Sequence, residues 1–389
     1  MKQASEKIRA LMQSEIRNMS IECDKVGGIN LSQGVCDLPL TDVLKQGVYE
    51  ALDAGYNHYT RYDGIEQLRQ QLSMKTRRFN GFNADPSTEI CVSAGATGAL
   101  YCACYALFQP GDEIIMFEPY YGYHEHTFIS LDLVPIYAKL SPPNWDYNLD
   151  ELEHLVTPKT RAIMINTPSN PCGKVYSEKE LNELADFAIQ HDLIVLTDEI
   201  YEYITYDGRK HISPARLDKL RDRTVTISGY SKTFSVTGWR IGYSIAPAQM
   251  NEWIGAANDL LYVCAPAPLQ YAVVKAIAEL DDSFYEKMRQ QYQHKRDMLC
   301  NTLNEVGLTP YVPQGAYYVL ADVSCISGKD SKERAMWLLE QTGIGVVPGE
   351  AFYKNADEGK KMVRFCFAKD ADVIGQACEI LLDNKSKWR

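Results

Sequence analysis

The chain reads as an α/β protein: a large domain built on a mostly parallel sheet flanked by helices, followed by a smaller α+β domain. Three observations predict this. Short β-rich runs alternate with helical patterns through the middle of the chain. Those runs are apolar nearly throughout, as expected of a sheet covered on both faces. At 389 residues the chain exceeds the size at which a single core stops growing, so two domains are expected.

The β runs are Ile90–Ser93, Glu113–Phe117, Ala162–Ile165, Leu193–Thr197, Thr224–Ser228 and Ile241–Ala246. Crossovers between them are helical. In Ser177–Gln190, Leu181, Leu184, Ala185 and Ala188 recur at helical spacing, and Ser177 with Glu180 reads as a capping box. The last third changes pattern. Asp282–Glu305 reads as a long helix, Gly315–Val323, Gly345–Val347 and Met362–Phe367 as strands, and Lys332–Thr342 and Asp370–Asn384 as helices. The expected division is an N-terminal segment, 1–44, packing with the small domain, a large domain over 45–284 and a small one over 285–389.

Apolar residues make up 46% of the chain and charged residues 23%. The net charge of −11 argues against nonspecific binding to nucleic acid or an anionic membrane, while leaving room for local anion pockets. Eleven cysteines are an odd number without a paired CxxC pattern, so reduced thiols in a cytoplasm are expected, and no metal centre. Met1–Ser20 shows no signal-peptide core, and no stretch approaches the ~18 apolar residues a membrane helix needs.

The chemistry gathers just after the β runs, the edge where open α/β sheets bind ligands. Lys232 stands in Ser228-Gly229-Tyr230-Ser231-Lys232-Thr233-Phe234-Ser235-Val236-Thr237-Gly238-Trp239-Arg240. A lysine among hydroxyls and glycines, with an arginine eight residues on, suits an aldehyde cofactor with a phosphate tail. Pyridoxal 5′-phosphate (PLP) is that cofactor. Gly95-Ala96-Thr97 after the first run opens a helix and offers backbone N–H groups to a phosphate. Asn166-Thr167-Pro168-Ser169-Asn170-Pro171-Cys172-Gly173 is a stiffened loop whose Asn170 suits the cofactor's phenolic oxygen. Asp198, at a buried strand end, needs a cation such as a pyridinium, and Tyr201 lies three residues on. Glu118-Pro119-Tyr120-Tyr121 puts an aromatic ring at the same edge. Arg364, inside an apolar strand, needs an anion: a structural carboxylate or a substrate carboxylate held bidentately.

In order and spacing these motifs resemble the class I/II aminotransferases of PLP fold type I, from Asn30-Leu31-Ser32-Gln33-Gly34 through Tyr59-Thr60 to Arg364. The resemblance implies that Lys232 is the Schiff-base lysine. It also implies that Arg240, Ser231 and the turn at Gly95, Ala96 and Thr97 bind the phosphate. Asp198 pairs with the ring nitrogen, Asn170 and Tyr201 hold the phenolic oxygen, and Tyr121 stacks on the ring. Arg364, with Asn170 and the Gly34 backbone, takes the substrate α-carboxylate. Tyr59 reaches the cofactor phosphate of a neighbouring subunit, and the loop Cys264–Gln270 also crosses toward the partner, so a homodimer with shared sites is implied. Many relatives have a serine where this chain has Gly229, which shifts weight onto Ser231.

The activity implied is ping-pong transfer of an amino group between an L-amino acid and a 2-oxo acid. A carbon–sulfur β-lyase, or a related fold type I enzyme such as a cyclising synthase, is the alternative. A ligand-sensing regulator would carry a DNA-binding extension, which an acidic chain starting its family match near Asn30 does not suggest. No clear second arginine marks a side-chain carboxylate; Arg61 is the weak candidate, and Tyr62, Tyr120, Tyr262 and Tyr317 are available to an aromatic or apolar pocket.

Overall fold

The computed structural model describes residues 5, 7–8, 15–36 and 38–387. Most of the first 14 residues, part of the stretch read for a signal peptide, lie outside the described residues. No helix among the described residues is long and apolar enough to cross a membrane.

A two-residue strand, β1 (Ile29–Asn30), precedes a seven-stranded sheet made of β2 (Ile90–Ala94), β3 (Glu113–Glu118), β4 (Val134–Lys139), β5 (Thr160–Asn166), β6 (Ile194–Asp198), β7 (Thr224–Gly229) and β8 (Ile241–Ile245). The spatial order is β2-β8-β7-β6-β5-β3-β4. The four pairings from β7 across to β4 are parallel, while β8 runs antiparallel to both β7 and β2. Six of these strands follow the apolar runs. The seventh, β4, is an edge strand, and only Ala138 in it is buried, so no apolar run announces it.

Both faces of the sheet are covered, which is why the six runs are apolar nearly throughout. Ile163 and Ile165 of β5 enter one core with Ile115 and Val195. Ala162 and Met164 enter another with Ile114, Met116, Leu196 and Ile227. The crossover helix Glu178–Gln190 opens on the expected capping box: the Ser177 amide donates to Glu180 Oε2 at 2.8 Å, and the Glu180 amide donates to Ser177 Oγ at 3.3 Å.

A second, antiparallel sheet has the order β12-β13-β10-β9. It comprises β9 (Thr309–Tyr311), β10 (Tyr318–Asp322), β12 (Val347–Pro348) and β13 (Met362–Cys366). The run Gly345–Val347 is therefore not one strand. Its first part is β11 (Ile344–Gly345), which pairs with β1 in parallel, and the chain passes to β13 only through β12. Amides of Ile29 and Leu31 donate to the carbonyls of Gly343 and Gly345, each at 2.8 Å. This pairing carries the segment after Asn30 toward the end of the large sheet. The helix Asp282–Glu305 runs its expected length.

Two glycines explain how closely the pieces meet. Gly229 of β7 faces Gly242 of β8, and a Cβ on Gly229 would lie 2.9 Å from the Gly242 Cα. A Cβ on Gly242 would lie 2.3 Å from the Ala96 nitrogen in the turn after β2. A side chain at position 229 therefore has no room here. Gly242→Ala should cost about 1–3 kcal/mol, the usual penalty of overpacking. Equilibrium denaturation checks this; an unchanged midpoint would mean that the Gly95–Thr97 turn yields freely.

Candidate active site

Strand direction brings the expected residues together. β2, β5, β6 and β7 end at one edge of the sheet, and β8, being antiparallel, begins there. Ala96, Thr97, Tyr121, Asn170, Asp198, Tyr201, Ser231, Lys232 and Arg240 accordingly line one cavity of about 110 Å³.

At one end lies an anion cradle. The helix Gly95–Leu107 starts at Gly95, whose φ is +77°, and no side chain caps its first amides. The Arg240 guanidinium covers this turn: a Cβ on Gly95 would stand 2.3 Å from its Nη2. Arg240 Nη1 donates to the Thr237 carbonyl at 3.0 Å, and no carboxylate pairs with Arg240 among the described residues. Uncapped amides, a helix N-terminus and an unpaired guanidinium together favour a phosphate-like dianion.

Lys232 lies on the cavity floor. Its Nζ donates to the Gly34 carbonyl at 3.2 Å and sits 5.8 Å from the centre of the Tyr317 ring. Burial pushes the ammonium pKa below its ordinary value; Arg240 acts in the same direction, while Cys36, Cys366 and Asp198 oppose it.

Asp198 is held from three sides. Its Oδ1 accepts from the Ile200 amide at 3.1 Å, its Oδ2 lies 2.8 Å from His124 Nε2, and its carbonyl accepts from Asn166 Nδ2 at 3.0 Å. Asn166 Oδ1 in turn accepts the Asn170 amide at 2.8 Å. The Tyr201 hydroxyl donates to the Tyr318 hydroxyl at 3.3 Å. Burial first of all holds the Tyr201 pKa well above the ordinary phenol value, so it stays a hydrogen-bond donor.

Arg364 is 1% exposed. Its Nη1 donates to Asn170 Oδ1 at 2.9 Å and its Nη2 to the Ser32 carbonyl at 2.7 Å. The guanidinium carbon lies 4.2 Å from the Tyr318 ring centre and 4.9 Å from that of Phe352. Nε is buried without a partner, and no aspartate or glutamate pairs with Arg364 among the described residues. The structural-carboxylate reading of this arginine is thereby set aside; what remains is a buried cation lacking its anion.

Two expected participants lie elsewhere. Tyr59, 83% exposed, lines a separate open groove with Thr60, Arg61 and Tyr271, outside the Lys232 cavity. Arg61 pairs with Asp63 at 2.9 Å and so does not offer a free second cation. The segment expected as a loop over Cys264–Gln270 is helical from Ala267 on, because Pro266 and Ala267 open the helix Ala267–Glu279; Gln270 in its first turn accepts from the Ile65 amide and donates to Thr60 Oγ1, fastening the Tyr59 segment. Sequence reasoning missed His124, Asn166 and Tyr318. His124 had one available signal: it follows Tyr121 by three residues at the start of a helix, where such positions share a face. Tyr318 reads as an ordinary core strand residue, although a Cβ on Gly34 would strike its hydroxyl.

The pKa direction at Lys232 gives a signed test. In cofactor-free protein, amine-selective acylation of Lys232 should set in at lower pH than acylation of surface lysines, because burial favours the neutral amine. Arg240→Ala should move that midpoint up and Asp198→Asn further down. Site-resolved mass spectrometry across pH reads both shifts, and a midpoint at or above that of surface lysines would contradict the electrostatic assignment.

Residues 26–381 match the family model of aminotransferase class I and II. The chain is 35% identical to aromatic-amino-acid aminotransferase 2 of Thermococcus litoralis, over 96% of each chain. It is equally 35% identical to aspartate aminotransferase of Pyrococcus abyssi, again over 96% of each. Its structure is similar to that of N-succinyldiaminopimelate aminotransferase from Mycobacterium tuberculosis, with a TM-score of 0.94, 32% identity, and 97% and 99% of the two chains covered. The mostly parallel central sheet, the cavity at its edge and these likenesses agree: the chain belongs to the class I and II aminotransferase family.

Proposed function

We propose that this aminotransferase holds PLP in the Lys232 cavity and moves an amino group between an L-amino acid and a 2-oxo acid by a ping-pong mechanism. The observation that carries the reading is Arg364: a buried guanidinium without a carboxylate partner, bonded to Asn170, whose neighbours Asp198 and Lys232 line the cavity. The fit extends to the anion cradle, where an unpaired arginine covers uncapped amides. When bound, PLP supplies an aldehyde for amine exchange and an electron-withdrawing ring that stabilises negative charge at the substrate's α-carbon.

The side chains divide the remaining work. Arg240, Ser231 and the amides at Gly95, Ala96 and Thr97 hold the phosphate. Asp198, oriented by His124, would pair with the ring nitrogen and favour its protonated form. Tyr201 and Asn170 donate to the phenolic oxygen, and Tyr121 packs on the ring. Lys232 anchors the aldehyde. Lys232 Nζ would also take the substrate's α-proton, a role that requires the neutral amine its burial favours. Arg364, with Asn170 and the Gly34 backbone, fixes the α-carboxylate.

The relatives are named for aromatic amino acids, aspartate and N-succinyldiaminopimelate, so family membership leaves the side-chain preference open. The division into an N-terminal segment over 1–44, a large domain over 45–284 and a small domain over 285–389 is part of this proposal. So is a cytoplasmic location, which eleven free cysteines support. So too is a homodimer in which Tyr59 and the Cys264–Gln270 segment serve the partner's site. Tyr59, Leu260 and Leu261 are exposed apolar or aromatic side chains that support such a face.

Borohydride treatment of PLP-loaded protein, followed by peptide mapping, should place the pyridoxyl group on Lys232. Label on another lysine would end the assignment. Amino donors paired with 2-oxoglutarate or pyruvate should then yield 2-oxo acids; release of ammonia with cleavage of a carbon–sulfur bond would instead identify a lyase.

For the shared site, Tyr59→Phe and Lys232→Ala subunits should complement. If Tyr59 acts across the interface, an isolated heterodimer has one wild-type site and one site bearing both lesions. Activity at the competent lysine should equal wild type. Activity only at the Tyr59→Phe level would put Tyr59 in its own subunit's site.

A further inference from the structure

Next to Asp198 lies a second set of buried charges that the proposed chemistry does not use. Glu199 is fully buried, as is the side chain of His211. Glu199 Oε2 lies 2.7 Å from His211 Nε2, and Oε1 accepts from Ser213 Oγ at 2.7 Å and from Thr197 Oγ1 at 3.3 Å. Its backbone is fastened as well: the Glu199 amide donates to the Ile227 carbonyl of β7 at 2.8 Å. Three residues on, Glu202 is bonded by Lys75, by Asn80 Nδ2 at 2.9 Å and by the Tyr243 hydroxyl at 3.3 Å. Ser228 Oγ, on β7 four residues before Lys232, lies 3.2 Å from the Glu199 carbonyl and 3.1 Å from Glu202 Oε1.

Asp198 and Tyr201 thus sit on a turn pinned at Glu199 and Glu202. Ligand-capable atoms of Glu199, Glu202 and His211 lie within 4.8 Å of one another. Lys75 already serves as the cation on Glu202, and both Glu199 oxygens have protein donors, so the chemistry is that of an ion-pair and hydrogen-bond network. For stability alone, apolar residues of the same volume would serve as well or better than buried charges. What such a network does supply is a fixed geometry. Among the described residues the Glu199 contact is the one hydrogen bond of the His211 ring, since its Nδ1 is buried without a partner. The two consecutive acids are therefore held in the same way: Asp198 by His124 Nε2 at 2.8 Å, and Glu199 by His211 Nε2 at 2.7 Å.

We infer that Glu199 and His211 are positioning residues: their pair fixes the turn that aims Asp198 and Tyr201 into the cavity, and couples that turn to the strand leading to Lys232. The inference rests on the reading of Asp198 as the partner of the cofactor's ring nitrogen.

The test uses full-length protein loaded with PLP labelled with ¹⁵N in the ring. His211→Leu removes the donor to Glu199, His211→Gln keeps an N–H at the position of Nε2, and Asp198→Asn serves as the reference. His211→Leu should move the ring-nitrogen resonance toward that of Asp198→Asn. It should slow single-turnover α-proton removal by about tenfold, the lower end of what losing a group behind a reactive centre costs. PLP affinity should stay near wild type, because the phosphate contacts are untouched, and His211→Gln should restore both signals. Should His211→Leu not fold, Glu199→Gln, which weakens the same pair without changing its shape, takes its place with the same expectation. A folded variant with the wild-type resonance and rate, whatever its melting temperature, overturns the inference and leaves a purely structural pair. A resonance that moves in Asp198→Asn and not in the His211 or Glu199 variant overturns the inference alone. A resonance unmoved in Asp198→Asn overturns the reading of Asp198 and the inference with it.

Discussion

A guanidinium buried without a counter-ion is the constraint on which much else here depends. An isolated buried charge costs several kcal/mol, and Arg364 is 1% exposed with Nε unbonded. The fold limits that cost in three ways. The antiparallel pairing of β10 with β13 brings Tyr318 beside the guanidinium, whose face the ring meets at 4.2 Å. The pairing of β1 with β11 delivers the Ser32 carbonyl to Nη2. The loop after β5 delivers Asn170 to Nη1. Elements from the N-terminal segment, the large sheet and the second sheet converge on one side chain. The remaining donor then favours a carboxylate in a defined orientation.

The same logic extends to the cavity as a whole. The chain carries a net charge of −11, yet the groups gathered at the sheet edge include Lys232, Arg240 and Arg364. Arg240 depresses the Lys232 pKa and Asp198 raises it, so the two ends of the cavity act on the lysine in opposite senses, with burial tipping the result toward the neutral amine. An amine on a cavity floor is a useful base only if something prevents its permanent protonation. Enclosure does that here without a dedicated neighbouring cation as its main cause.

What the sequence made legible were side chains whose chemistry is costly where they stand. Asp198 at the end of an apolar run, Arg364 inside one, and Lys232 among hydroxyls each demand a partner, and the demand is visible without coordinates. What stayed hidden were partners that are ordinary by themselves. His124 lies within a stretch of aromatics, and its bond to Asp198 depends on how β3 and β6 sit across β5. Strand β4 alternates too weakly to announce itself because it forms the sheet's edge. The direction of β8 cannot be read from its apolar run, yet that direction places Arg240 beside Gly95 and excludes a side chain at Gly229. Local demand is written in residues; the identity of the group that meets it is written in topology.

The same distinction separates Arg364, whose surroundings are built within one chain, from Arg61. Arg364, Asn170 and Gly34 are brought together by backbone pairings of this chain alone. Arg61, the one other cation suggested for a substrate carboxylate, is paired with Asp63, and Asp63 also lies 3.7 Å from Arg69. Burial raises the pKa of Asp63 against the pull of those two arginines. Arg61 is thus engaged with a buried carboxylate that Arg69 also neighbours. Arg61 also lines a groove apart from the Lys232 cavity, so within one chain it selects neither a charged nor an uncharged substrate side chain, in keeping with relatives named for aromatic amino acids, aspartate and N-succinyldiaminopimelate.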